Sequence, residues 1–457
     1  MTGKPLTPYR DRDLRAVLTL LAKGHCVSVV GMSNFGKSTL LRLLQTPTAV
    51  DYYHDLTGAN ALFVYVDCNR MLELSRQGFF EATLRAVLEA LPPADAALHA
   101  VVEAQYQTVV QSPNEFAVPL AFNNALVALV EEETRRVVLL LDEFDDVLTG
   151  IEPRILLNLR ALRDKYGTDL SYVIASVVPP SQGPPNEYVA EFAELFAVGK
   201  YALGPLSLAE TRLMAAELFE AANDALDEAE ARFVLREAGG HPGLIQAVVR
   251  VLLQVESGAP QLYQEQAFAL VNEALEADRQ TLTELNRLWA QLDEAEQQFV
   301  LDSVLTDRFT PSLERVLRQR GLINVTPEDE TPRLLGELFT RFVRRKALMQ
   351  PGVQRGVRVD TDSGEVWVDG LGVDSLTDLE YRLLLLLYGR LDKICDKYQL
   401  VGAVWGEDYI DHVDDARIEK LVSRVRAKLE GHPDAARYLI TVRGRGYKLS
   451  SMAAEIP

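Results

Sequence analysis

Cysteine is scarce: the 457 residues hold three, at 26, 68 and 395, far apart, odd in number and without a CxxC pair. That pattern excludes a disulfide-stapled scaffold and offers no zinc framework. It predicts reduced thiols and a cytoplasmic protein. Long apolar runs are missing as well. The five leucines at 383–387 fall far short of the roughly 20 residues that cross a bilayer. The first twenty residues are polar and charged, unlike a secretory leader, so no membrane partner is expected. Neither low-complexity tracts nor internal repeats of about 20–50 residues occur. Basic charge is also in deficit, with 47 Lys and Arg against 66 Asp and Glu and a formal charge of −19. Taken as an average, that charge repels polyanions.

What is present is an ordinary globular composition, 48% hydrophobic and 25% charged, long enough for about three domains. The expected fold class is multidomain α/β. Over 1–205, short β-branched runs alternate with longer helical patterns, as in a parallel sheet flanked by helices. Strands are expected at 26–30, 61–67, 137–141 and 171–176, each ending in a polar or glycine-rich turn where open α/β sheets place ligands. Residues 206–284 read as a helical lid, opened by Ser207 and Glu210 at capping-box spacing. Residues 285–348 read as helix, helix, a hairpin about 324–333 and a final helix, the order of a small winged helix. A linker is expected at 349–356, which carries Pro351, Gly352 and Gly356. Beyond it, 357–457 forms an independent domain.

The stretch 26–30 runs into Gly31-Met32-Ser33-Asn34-Phe35-Gly36-Lys37-Ser38-Thr39 and then a helical run, 40–44. This is GxxxxGK[ST] set between strand and helix. Its glycines let successive N–H groups turn inward, making an anion nest at a helix N-terminus. Lys37 then reaches the β- and γ-phosphates, and the Ser38 hydroxyl ligates Mg²⁺. The expected cofactors are ATP (or ADP) and Mg²⁺, with Gly31, Asn34, Gly36, Lys37, Ser38 and Thr39 as the binding loop.

The apolar residues 137–141 suit a strand buried on both faces and end in Asp142-Glu143. Asp142 is expected to hold Mg²⁺ through water, and Glu143 to orient or deprotonate the attacking water; these two are the candidate catalytic residues. Ser176, closing the last strand, is a candidate γ-phosphate sensor or a strand-capping hydroxyl.

With these motifs, residues 1 to about 346 resemble the signal-transducing P-loop ATPases of the STAND class, close to the archaeal-type ATPases within the AAA+ group. Gly239-Gly240-His241-Pro242-Gly243 is similar to the family's GxP element, and the resemblance implies that Pro242 starts a helix packed near the nucleotide. Tyr9-Arg10-Asp11-Arg12-Asp13-Leu14 resembles the family's GRxxE-like start beside the adenine, without its glycine and with aspartate at its end. Arg154, Arg160 and Arg163 are candidates for a finger acting across the interface of a nucleotide-dependent homo-oligomer, and nothing in the sequence chooses among them.

From about 355 the pattern changes to short strands at 356–360 and 365–369, then helices at 379–388, 399–405 and 414–430, then two strands joined through Arg443-Gly444-Arg445-Gly446. Thr377 and Glu380 form a second capping box. Leu376-Thr377-Asp378-Leu379-Glu380-Tyr381-Arg382, Val404-Trp405-Gly406, Ser423-Arg424-Val425-Arg426-Ala427-Lys428-Leu429 and Thr441-Val442-Arg443-Gly444-Arg445-Gly446-Tyr447 resemble the OmpR/PhoB-type winged-helix DNA-binding domain. Residues 355–457 carry 15 basic and 18 acidic side chains, yet 416–450 hold nine basic and three acidic. On the third helix Arg417, Lys420, Arg424 and Lys428 recur at three- and four-residue steps, opposite Leu421, Val422, Val425 and Leu429. A one-sided basic helix fits the major groove. The resemblance implies Arg417, Lys420 and Arg424 at base edges or nearby phosphates, Arg426 at a phosphate, and Arg443 or Arg445 in the minor groove.

The combination predicts a nucleotide-switched transcription regulator with double-stranded DNA as partner, its ATPase slow and serving as a reset. The alternative is an AAA+ DNA-remodelling, mobile-element or defence ATPase in which the winged helix only tethers DNA or a protein. Removing the −3 of 355–457 leaves −16 on 1–354, so the acid lies mainly on the ATPase portion, which favours the switch over a machine that threads DNA.

Overall fold

The computed structural model describes residues 5–112, 116–133, 135–258, 264–306, 311–325, 332–348, 356–361, 364–369, 371–373, 375–406, 409, 413–430 and 438–450. The chain divides into two compact units, 1–293 with 311–339, and 294–310 with 340–457.

The first unit is built on five strands: β1 (Val27–Val30), β2 (Ala61–Asp67), β3 (Arg136–Asp142), β4 (Leu170–Ser176) and β5 (Lys200–Ala202), in the order β2-β3-β4-β1-β5. Every neighbouring pair is parallel. Parallel strands need crossover connections, whose helices cover both faces, and this is why β3 and β4 read as near-continuous apolar runs. β5 has no such run. Its residues are exposed or half-buried, and only pairing with β1 at the sheet edge makes it a strand.

Alternate residues feed two separate cores. Leu62, Val64, Val66, Leu139, Leu141, Tyr172 and Ile174 pack on one face. Phe63, Val138, Leu140, Val173 and Ala175 pack on the other, with Leu40 and Leu41 of helix Lys37–Leu43. Asp142 continues the parity of Val138 and Leu140, so it lies on the face that carries this helix. The register sets Asp67 opposite Asp142 and Val30 opposite Ser176. The loop after β1, the carboxylates after β3 and the end of β4 therefore share one edge of the sheet.

The helical region comprises Leu208–Ala221, Glu228–Ala238, Pro242–Gly258, Gln264–Ala277 and Arg279–Ala290. The expected capping box closes in both directions between Ser207 and Glu210, and Asp227 and Glu230 form another. Helices Glu294–Thr306 and Pro311–Gln319 follow, then an antiparallel hairpin with Asn324 opposite Arg333, then helix Gly336–Leu348. The expected linker, apart from Gly356, lies outside the described residues.

In the second unit, Val357–Val359, Val366–Val368 and Leu371–Gly372 form an antiparallel sheet. Helices Asp378–Tyr388, Lys397–Val404 and Asp415–Glu430 precede the hairpin Leu439–Val442/Gly446–Leu449. Leu383, Leu384, Leu387, Val401, Val404, Leu421, Val422, Val425 and Leu449 fill one core. Gly446 is required where it stands: φ is +127°, and a Cβ there would lie 2.0 Å from the Cys395 carbonyl oxygen. That close approach carries the bridge between Cys395 and Tyr447, which ties the hairpin to the start of the second helix. The three cysteines are buried and unpaired. No described helix is long and apolar enough to cross a membrane.

Candidate functional site

The loop Gly31–Gly36 leaves β1 and enters helix Lys37–Leu43 through two left-handed residues, Asn34 at φ +60° and Gly36 at φ +90°. Glycine adopts that conformation at no steric cost, and asparagine tolerates it. Lys37 is 5% exposed. Its Nζ donates to the Gly31 carbonyl at 2.8 Å and the Met32 carbonyl at 3.3 Å, curling back over its own loop. Burial lowers its pKa, and the nearby carboxylates of Glu143, Asp145 and Asp142 oppose that shift.

A cavity of about 730 Å³ opens in front of this loop, a volume typical of small-molecule sites. Asn34, Gly36, Lys37, Ser38, Thr39 and Glu143 line it from the sheet side, and Met214, Pro242, Gln246, Arg250, Gln280 and Glu284 are among those lining it from the helical side. Of the sequence-predicted nucleotide residues it brings together Asn34, Gly36, Lys37, Ser38, Thr39 and Pro242. Gly31 stands behind, its N–H donating to the Ser176 carbonyl at 3.2 Å. Ser176 is fully buried, outside the cavity lining, and its hydroxyl donates to the Val178 carbonyl at 2.7 Å. In this structure that hydroxyl caps the strand end.

The tip of the loop is held by the helical region, which the motif did not foretell. His241 is fully buried. Its Nδ1 accepts the Leu244 N–H at 3.1 Å, capping helix Pro242–Gly258, so the proton sits on Nε2, which meets the Ser33 carbonyl at 3.1 Å. The ring packs edge-on against Phe35, and burial pushes its pKa down to about 4. Gln291 Oε1 accepts the Ser33 N–H at 2.9 Å, and its amide also donates to the Ser33 hydroxyl. Glu284 accepts from the Asn34 side chain at 2.6 Å. On the other flank the Arg10 guanidinium donates to the Phe35 carbonyl, and the Arg10 N–H donates to Glu210 at 2.6 Å.

At the acidic edge, Asp142 is 2% exposed and both its oxygens are engaged. Oδ1 accepts the Glu143 N–H at 3.1 Å, and Oδ2 accepts from the Tyr65 hydroxyl at 2.6 Å. Glu143 adopts φ +51°, a costly conformation for a residue with a Cβ and one found at functional sites. Burial raises its pKa, Lys37 pulling the other way. Asp145 accepts the Val177 N–H at 2.9 and 3.0 Å, linking the turn after β3 to the end of β4. Of the three arginines open as fingers, Arg163 donates to the Leu170 and Gly24 carbonyls and Arg160 pairs with Asp164 and Glu194. Arg154 is exposed and its side chain makes no ion pair or hydrogen bond among the described residues.

The loop and its surroundings fit a magnesium nucleotide. A buried ammonium and a glycine-shaped nest face a roomy cavity, and Ser38 and Asp142 offer the hard oxygen donors that Mg²⁺ takes.

On the second unit, Arg417, Lys420 and Arg424 are exposed on helix Asp415–Glu430, and Arg443 and Arg445 are exposed on the hairpin turn. Two neighbours are spent internally. Lys428 pairs with Glu380 at 2.8 Å and donates to the Ser375 carbonyl. Arg426 donates to the Leu439 carbonyl at 2.7 and 3.0 Å and to the Thr441 hydroxyl, bracing the hairpin against the helix. Periodicity alone does not distinguish Lys428 from the outward-facing residues, since it keeps their spacing and its acceptors lie on another element.

Two family models match. Residues 7–161 match the AAA ATPase domain, and residues 374–449 match the C-terminal domain of transcriptional regulatory proteins. The sensory transduction protein RegX3 of Mycobacterium leprae is 36% identical over 95 residues, which are 21% of this chain and 46% of that one. The uncharacterized transcriptional regulatory protein YrkP of Bacillus subtilis is 32% identical over 95 residues, 21% of this chain and 40% of that one. The chain thus spans less than half the length of these curated relatives. Among solved structures, the Walker-type ATPase of Pyrococcus abyssi aligns over 73% of this chain and 95% of its own, with 14% identity and a TM-score of 0.41. The Klebsiella pneumoniae RstA DNA-binding domain, solved in complex with the RstA box, aligns over 21% and 92%, with 25% identity and a TM-score of 0.18. The chain joins an N-terminal AAA ATPase domain to a C-terminal OmpR/PhoB-type winged helix.

Proposed function

We infer that this chain is an ATP-dependent, signal-transducing transcription regulator of the STAND type, in which nucleotide state governs how the C-terminal winged helix engages double-stranded DNA. One observation carries the reading. The tip of the phosphate-binding loop, Ser33 and Asn34, is hydrogen-bonded by His241, Glu284 and Gln291 of the helical region. A ligand that takes over the loop's polar groups must change those bonds, and Gln291 stands three residues before the second compact unit begins in the chain.

Each residue has a part in this reading. Lys37 leaves the Gly31 and Met32 carbonyls for the β- and γ-phosphates, while the loop N–H groups and Thr39 hold the remaining oxygens. Ser38 would hold Mg²⁺ and Asp142 would hold it through water, and the ion when bound would neutralise phosphate charge. Glu143, its carboxyl raised by burial, orients the attacking water in a slow hydrolysis that resets the switch. Pro242 starts the lid helix over the site. Arg417, Lys420 and Arg424 read the major groove, Arg443 or Arg445 reaches the minor groove, and Arg426 braces the hairpin that presents them. The organisation is an ATPase core at 1–205, a lid at 206–284, a middle winged-helix-like domain at 285–348, a linker at 349–356 and the DNA reader at 357–457.

Selection of bound genomic fragments with and without ATP tests reader, switch and coupling together. The wild-type chain should enrich defined fragments with a yield that depends on ATP, and Lys37→Ala should lose that dependence along with ATP binding by calorimetry. Identical enrichment in the two conditions, or continuous DNA-stimulated turnover, would refute the switch and favour the remodelling machine.

A further inference from the structure

The acidic edge contains a polar group that neither motif includes. Tyr65 lies in β2 with Phe63 on the face that carries helix Lys37–Leu43, and its hydroxyl donates to Asp142 Oδ2 at 2.6 Å. The same hydroxyl accepts from Arg42 Nη2 at 3.1 Å, and the Arg42 guanidinium stands 5.0 Å from the centre of the tyrosine ring. Arg42 follows Ser38 by four residues on one helix, so the two share a face one turn apart.

We propose that Tyr65, backed by Arg42, is a positioning residue for the metal: it aims the Asp142 carboxylate and ties that ligand to the helix bearing the other ligand, Ser38. The proposal rests on the magnesium-nucleotide reading of the site. Two features carry it. Asp142 is a buried carboxylate on a rigid strand, and with Oδ2 held by Tyr65 and Oδ1 by the Glu143 N–H its plane is set from both sides. The bridge also spans β2, β3 and the loop helix, and so links Asp142 to the helix that carries Ser38. Outer partners of this kind hold metal ligands in orientation, and losing one weakens metal affinity about 10–100-fold.

The test is the Mg²⁺ dependence of nucleotide binding, read on the full chain with a fluorescent ATP analogue and independent of turnover. Tyr65→Phe keeps the ring and removes only the hydroxyl. It should leave binding of the analogue in EDTA at the wild-type level and raise the Mg²⁺ concentration for half-maximal enhancement about tenfold. Arg42→Met, at an exposed position, should move the half-point in the same direction by a smaller factor and serves as the reading if Tyr65→Phe unfolds. A merely structural role would weaken binding equally with and without Mg²⁺, and that result overturns the proposal. So does an unchanged half-point in both variants while the wild type responds to Mg²⁺, and then the site reading stands. A wild-type chain whose binding ignores Mg²⁺ overturns the site reading and the proposal together.

Discussion

The buried imidazole of His241 makes the fit of lid to loop dependent on acid. Its pKa falls from an ordinary 6.5 to about 4 because burial disfavours the cation and Nδ1 is already committed as an acceptor. A histidine whose folded pKa lies below its unfolded value stabilises the fold above about pH 6.5. That stabilisation drains away as the pH falls toward 4, because the unfolded chain binds the proton first. With these two values the ring alone costs the native state about 2 kcal/mol between about pH 7 and pH 5, and about 3 kcal/mol once the pH is below 4. Other carboxylates titrate over the same range, so the measurement must be a difference. His241→Asn is the reference: its side-chain oxygen can still accept the Leu244 N–H at the helix start, and it carries no titrating group. Amide exchange in 242–258, corrected for its intrinsic pH dependence, reads the local opening free energy. Wild-type protection should exceed the variant's at about pH 7, and the gap should shrink by about 2 kcal/mol, roughly 30-fold in exchange rate, at about pH 5. A gap that closes by less than about 0.5 kcal/mol would show that the ring is not a buried neutral clamp.

Other substitutions separate reading from bracing. Arg424→Ala should weaken binding to a selected operator by about 1–3 kcal/mol in a mobility-shift titration, and wild-type affinity would remove it from the base contacts. Arg426→Ala should lower the thermal midpoint of the second unit, since it strips the hydrogen bonds to the Leu439 carbonyl and the Thr441 hydroxyl from the hairpin, while the slope of affinity against salt stays at the wild-type value. Arg443→Ala should instead reduce that slope by about 1 if its guanidinium displaces a counterion. Gly446→Ala forces a Cβ toward the Cys395 carbonyl at a positive φ and should cost about 3 kcal/mol or more; an unchanged melting curve by circular dichroism would contradict the close approach.

What could be read in the sequence was local. Strand, loop and helix around 31–39 were legible because a phosphate nest needs glycine torsions at fixed spacing, and the strand ending in Asp142 because burial on both faces demands an unbroken apolar run. The capping boxes at Ser207 and Thr377 were legible because both partners lie within one turn. The winged helix was legible because its basic and apolar residues alternate on one helix. Three-residue β5 was not, since its residues carry no apolar pattern and only the neighbouring strand makes it one.

Tertiary structure decided how these pieces are used. Lys428 and Arg426 share the composition of the outward-facing arginines, yet acceptors on distant segments bind them, and no spacing on their own helix shows that. Tyr65 belongs to neither motif, and only the pairing of β2 with β3 brings its hydroxyl to Asp142. His241, Glu284 and Gln291 lie more than 200 residues from Ser33 and Asn34 in the chain. The sequence by itself determined which chemistry the loop carries, because a motif's torsions and charges are local properties. Which residues hold that loop follows from contacts between distant segments, and those exist only once the chain has folded.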